Sequence, residues 1–173
     1  MYLMLFLNHY RIGLFLASIF LLSSIVIVIS YADEIYTTPL VGFEEVPPVP
    51  TNSSGFAVLK YDNNSLNYQI NVTNLDKIKS SHIHLGGFGQ NGDVIATLFN
   101  SSTPTDLING TLIEGTISSS DLQGPFAGKT LQEVVSQIKQ LNAYINVHTV
   151  DYPNGEIRGQ IANATAINAT TIR

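Results

Sequence analysis

Apolar and polar residues alternate one for one along Leu66-Asn67-Tyr68-Gln69-Ile70-Asn71-Val72, the period of a strand with one face in a core. Upstream, Gly55-Phe56-Ala57-Val58-Leu59-Lys60-Tyr61 is a second strand-forming run, and Asp62-Asn63-Asn64 between the two supplies turn residues. Together they predict a hairpin. Runs at 81–85, 93–99, 111–117, 143–149 and 156–162, with an entry strand at 38–43, bring the count to about eight short strands. That spacing predicts an all-β fold, an antiparallel Greek-key β-sandwich of the immunoglobulin or superoxide-dismutase kind. One segment has a different period. Thr130-Leu131-Gln132-Glu133 is a capping box, and Leu131, Val134, Val135, Ile138 and Leu141 recur at helical spacing after it. A single short helix over 130–141 should cover an open end of the sandwich.

The chain of 173 residues also begins differently from the rest. Residues 12–29 carry no charge, and Ser30-Tyr31-Ala32 places small residues where a signal peptidase reads, ahead of Asp33-Glu34. Residues 1–32 are therefore expected to be a signal peptide or, uncleaved, a membrane anchor, since about 18 apolar residues can span a bilayer. Either way the domain at 33–162 is exported, secreted or displayed at the cell surface, and 163–173 reads as a flexible polar tail. Membrane contact would come only through the leader.

Seven Asn-X-Ser/Thr triplets, at Asn52, Asn63, Asn71, Asn100, Asn109, Asn163 and Asn168, agree with export. The composition predicts about 2.5 by chance, so glycosylation at some of them is expected. The exported part holds 7 of the 8 basic residues and all 13 acidic ones, a net charge of −6. No basic run exists to neutralise a phosphate backbone, which removes nucleic acid as a partner. There is no cysteine, hence no disulfide, thiolate metal site or Cys nucleophile.

Candidate chemistry is confined to three strands. In 81–85 the alternation puts His82 and His84 on one face with Ile83 and Leu85 on the other. In 143–149 Tyr144, Asn146 and His148 share a face. In 156–162 Glu156, Arg158 and Gln160 do, with Ile157 and Ile161 inward. If these strands are neighbours, three imidazoles, a carboxylate and a guanidinium meet. Two readings follow. Three imidazoles from two strands form a ligand set suited to copper or zinc. Alternatively, His148, Tyr144, Asn146, Glu156 and Arg158 form a polar network that satisfies itself and nearby backbone groups. Gly86-Gly87-Phe88-Gly89 lacks the helix and Lys of a phosphate loop and reads as a tight turn, and Ser118-Ser119-Ser120-Asp121 reads as a turn or cap.

His82-Ile83-His84, Gly86 and Asn91-Gly92, followed by Tyr144-Ile145-Asn146-Val147-His148-Thr149 and Pro153-Asn154-Gly155-Glu156-Ile157-Arg158-Gly159-Gln160, resemble the two hallmark motifs of the CHRD (chordin) domain. Leu40-Val41-Gly42-Phe43-Glu44-Glu45-Val46-Pro47-Pro48-Val49 and Gly55 fit the family's opening. The resemblance covers about residues 37–162 and implies a secreted β-rich module of the single-domain microbial type. It implies no defined activity. The expected function is a non-enzymatic extracellular binding or structural module whose partner is an extracellular protein or a cell-surface component. An extracytoplasmic copper or zinc protein using His82, His84 and His148 is the alternative. A superoxide-dismutase-like enzyme is more remote, because the exported part has no fourth histidine and no zinc loop.

Overall fold

The computed structural model describes residues 33–62 and 64–164; the expected leader, Asn63 and most of the expected tail, with Asn168, lie outside these residues. The elements are β1 (Glu34–Val41), β2 (Ser54–Tyr61), β3 (Leu66–Leu75), β4 (Ile78–Leu85), β5 (Val94–Asn100), β6 (Ile108–Ile117), α1 (Leu131–Lys139), β7 (Ala143–Thr149), β8 (Ile157–Gln160) and the short β9 (Ala162–Asn163). Short 3-10 turns lie at Gly42–Glu44, Ser119–Asp121 and Gly124–Phe126. All strand pairs are antiparallel.

The β2–β3 hairpin forms as the alternation predicts. Its register runs unbroken from Tyr61↔Leu66 to Ser54↔Thr73. Asp62 makes the turn, its Oδ1 accepting from the backbone N–H groups of Asn64 at 3.0 Å and Ser65 at 2.7 Å. Pairing follows one path, β5-β4-β7-β8-β1-β2-β3-β6, with β9 beside β1. The strands thus form one sheet rather than two, and it curls until its ends approach. Tyr68 of β3 shows how: its ring passes over Gly115 of β6, where a Cβ would collide with the ring, and its hydroxyl donates to the Leu98 carbonyl of β5 at 2.6 Å. The free side of β5 is taken up by the following segment, through a bridge from Ala96 to Leu122 and a bond from the Gln123 N–H to the Ile95 carbonyl.

Inside this nearly barrel-like sheet lies one core: Tyr36, Leu40, Leu59, Ile70, Ile83, Ile95, Ile145, Val147, Ile157 and Ile161 are buried in it together. The helix closes an end. Thr130 is its N-cap, accepting from the Glu133 N–H while the Glu133 carboxylate accepts from the Thr130 N–H, the expected capping box. Leu131, Val134, Val135 and Ile138 are buried. Leu141 corrects the expected stripe: the helix ends at Lys139, and Leu141 turns out at φ 56° with its side chain exposed. The entry strand also differs. It begins at Glu34 and ends at Val41, after which the chain turns at Gly42–Glu44 and leaves Phe43 81% exposed. Among the described residues no helix is long and apolar enough to cross a membrane.

Candidate metal centre

Strands β4, β7 and β8 are adjacent, so the three polar half-faces do converge. In the register His82 stands opposite Asn146, His84 opposite Tyr144 and Ser80 opposite His148. Across β7, Asn146 faces Arg158 and Tyr144 faces Gln160. The other faces of these strands send Ile83, Ile145, Val147 and Ile157 into the core. Loops roof the polar face. Residues 86–93 between β4 and β5, 42–53 between β1 and β2, and 150–156 between β7 and β8 supply the bonds described next.

Arg158 is 1% exposed and holds the first loop: its guanidinium donates to the carbonyls of Gly87 at 3.1 Å and Gln90 at 2.8 Å and to Asn91 Oδ1 at 3.2 Å. Asn91 in turn donates to the Val46 carbonyl at 2.8 Å, tying this loop to the second. The guanidinium also lies over the Tyr144 ring, 3.4 Å from its centroid, and His84 stacks on the same ring at 4.9 Å with 9° between planes. Glu156 accepts from Thr51 and Ser53 at 2.8 Å each and from Thr149 at 2.7 Å. Gln160 donates to the carbonyls of Gly86, Leu141 and Ala143. The expected mutual network is therefore corrected in detail. No ion pair joins Glu156 to Arg158 among the described residues, and neither bonds His148 or Asn146. Arg158 on β8 reaches into the 86–93 loop, whereas Glu156, just before β8, collects Thr51 and Ser53 of the 42–53 loop and Thr149 of β7, so the two side chains do not meet.

The histidines are held differently. His84 Nδ1 lies 2.8 Å from the Gly92 carbonyl, and His148 Nδ1 lies 2.9 Å from the Pro153 carbonyl. A carbonyl only accepts, so each Nδ1 carries its proton and each Nε2 presents a lone pair. Those two Nε2 atoms, with His82 Nδ1, are buried and have no hydrogen-bond partner. The three imidazoles each place a nitrogen within 4.8 Å of the others'. Ring centroids are 5.0 Å apart for His82 and His148, 5.6 Å for His82 and His84, and 6.0 Å for His84 and His148. Gly92 is needed for this arrangement: a Cβ there would strike the Leu85 carbonyl, and the backbone could not bring its own carbonyl to His84.

Electrostatics keep the rings neutral. Burial pushes His82 down to about 4, helped by the neighbouring His148 and His84. His84 is lowered by burial, against an opposing pull from the Gly92 carbonyl and the Asn146 side chain. His148 is also lowered by burial, against the Pro153 carbonyl. All three are therefore neutral imidazoles at neutral pH. Nearby, the Glu45 carboxylate is pushed up to about 7 by burial, opposed by the charge of Arg158, and its Oε1 has no partner. Glu45 is not among the candidates the strand pattern picks out; its sequence signal is a carboxylate set in the proline-rich run Glu44-Glu45-Val46-Pro47-Pro48.

The family model for the CHRD domain matches residues 36–161, which takes in every strand that carries the site. The chain belongs to the CHRD domain family. A chordin from Xenopus laevis is 36% identical over 126 residues, 71% of this chain and 12% of that protein, so this CHRD domain spans a small part of its relative's length. No solved structure matches this CHRD domain.

The remaining candidates are scattered. Asn52, Asn100, Asn109 and Asn163 are exposed, and Asn71 is half-buried on β3, accepting from Thr111 at 2.9 Å. Ser118 and Asp121 form a capping box on the Ser119–Asp121 turn, as expected of a cap. The fourth histidine, His9, lies outside the described residues.

Proposed function

We propose that this CHRD domain is an exported, non-enzymatic binding module whose ligand is a copper or zinc ion held by His82 Nδ1, His84 Nε2 and His148 Nε2. One observation carries the reading. Three buried nitrogens on one face lack partners, while the other nitrogen of two of the rings is fixed by a backbone carbonyl. Buried polar atoms are almost always bonded, so three together call for a shared guest. A ring N–H donating to a carbonyl is also how metal-bound imidazoles are oriented. Metal–nitrogen bonds of about 2.0–2.1 Å would draw the nitrogens together by roughly 1 Å, within reach of small ring rotations. Copper and zinc both suit an all-imidazole set. A superoxide-dismutase-like activity has no support in the cluster, whose ligand set among the described residues is three histidines.

Export rests on the leader at 1–32 and on the sequons, and the native chain is proposed to carry glycans at its exposed ones. A second reading, recognition of an extracellular protein or a cell-surface component, is favoured by Phe43 and Phe88, which are 81% and 61% exposed on loops of the roof. Elemental analysis of untagged protein, with thermal melts in copper, zinc and chelator, tests the metal reading. Stoichiometric metal and a raised melting temperature support it. Identical melts in metal and chelator end it.

A further inference from the structure

The polar face contains a fourth unpartnered atom. Asn146 Oδ1 is buried, on a residue only 3% exposed, and the His84 ring beside it could bond it only when protonated, because the neutral ring carries its proton on Nδ1 toward Gly92. Asn146 stands on β7 between His82 of β4 and Arg158 of β8, so its side chain leaves the sheet among the three imidazoles. A bare metal ion would satisfy three nitrogen lone pairs and leave this oxygen unpaired. An amide oxygen accepts only; it requires a proton donor or direct ligation. Sites with three protein ligands keep the fourth position for water or substrate, whereas structural sites close it with a fourth protein ligand. No carboxylate joins the three-histidine cluster among the described residues.

We infer that the fourth metal position carries an exchangeable water whose O–H donates to Asn146 Oδ1. This rests on the metal reading above. A water bound in this way gives its oxygen to the ion and its proton to the amide, so one guest satisfies all four atoms. The ligands are three neutral imidazoles, so the ion keeps its full charge, and the Arg158 guanidinium adds to the positive field felt at His84. Small anions are thus the class of ligand that exchanges with the water. An anion without a proton, such as azide, gains the ion's charge but loses the bond to Asn146. Asn146 is a positioning residue that favours water over such anions.

The untagged full chain is loaded with cobalt(II) as the spectroscopic probe, and sodium azide is titrated while the visible absorption is followed. Copper or zinc uptake by wild type comes first: with neither, the metal reading itself fails, and the inference with it, whereas uptake of either without cobalt overturns the open, exchangeable site alone. With cobalt uptake, azide is expected to change the spectrum saturably. Asn146→Leu should bind one cobalt and take azide about 2–10-fold more tightly, the worth of one hydrogen bond to the displaced water. Asn146→Asp, which accepts more strongly and adds a negative charge, should weaken azide. The opposite directions separate this role from general damage to the fold. No azide response in wild type would overturn the inference, as a closed site with Asn146 as direct ligand would give. An azide constant unchanged in both variants would also overturn it.

Discussion

The polar face of β4, β7 and β8 divides into two halves that solve burial in opposite ways. In the half around β8, the three buried polar side chains find the protein, and only Glu45 Oε1 of the roof goes without: Arg158 has three oxygens, Gln160 three carbonyls and Glu156 three hydroxyls. In the half around β4 and β7, four buried atoms on His82, His84, Asn146 and His148 have none. The same loops roof both. Incomplete packing would spread unpaired atoms over the face; instead four of the five among the described residues gather where three lone pairs can share one point. One half builds the scaffold, and the other carries the proposed metal site.

That contrast is broken if the two halves respond alike to substitution and to metal. Arg158→Met should have the largest effect. It leaves the carbonyls of Gly87 and Gln90 without their donor under the roof, at a cost of at least about 3 kcal/mol with or without metal. Denaturant unfolding in chelator checks it, and a loss below 1 kcal/mol would remove Arg158 from the scaffold. Metal comes next. Zinc or copper at 100 times its dissociation constant should stabilise wild type by about 2.7 kcal/mol, and His148→Ala should abolish that gain. Without metal His148→Ala should cost only about 1 kcal/mol, its bond to Pro153. An equal loss in chelator and in metal would assign His148 to the scaffold. Glu156→Gln, which turns one acceptor of the hydroxyl cluster into a donor, should cost about 1–3 kcal/mol independently of metal.

The pH dependence sharpens the same comparison. An unfolded chain takes up protons on its histidines near 6.5, whereas burial holds the folded His82 near 4. Between those values the unfolded state binds more protons, so the histidines' contribution is present above 6.5 and is lost as pH falls toward 4. Glu45 works the other way: its raised carboxyl, near 7, binds a proton in the folded state first and adds stability as pH falls from 7 toward the ordinary carboxylate range. The test is therefore a difference between wild type and His82→Leu, both free of metal. The variant should lose less stability than wild type between pH 7 and 5, and parallel curves would contradict the lowered His82. The smallest effect belongs to the surface. The Lys139–Glu34 pair, with its lysine about half exposed, should contribute no more than about 1 kcal/mol, and Lys139→Ala should leave metal binding untouched.

Much of this was legible in the sequence because strands alternate and helices repeat. The period of two placed His82 with His84, and Tyr144 with Asn146 and His148, on shared faces; Thr130 and Glu133 announced the helix start. The belonging of the chain to the CHRD family was likewise carried by its His-Ile-His and Asn-Gly-Glu-Ile-Arg-Gly motifs. The bonds that orient the imidazoles were not legible. Their acceptors are the carbonyls of Gly92 and Pro153, and a backbone carbonyl has no residue identity to read. For the same reason the expected network among Glu156, Arg158 and His148 gave way to bonds into loops. Nor could the pattern show that one sheet curls nearly closed, because alternation records which face a residue takes and not which strand it meets.

The closure brought about by Tyr68 and Gly115 has a consequence for how the molecule behaves in a crowd. An open sheet ends in a row of unpaired backbone groups that can template growth onto another chain. Here β5 pairs with β4 on one side and meets the 122–123 segment on the other, and the Tyr68 hydroxyl ties its Leu98 carbonyl to β3, next to β6. A chain without disulfides has no covalent guard against edge-to-edge polymerisation, and the curl of its own sheet supplies a non-covalent one.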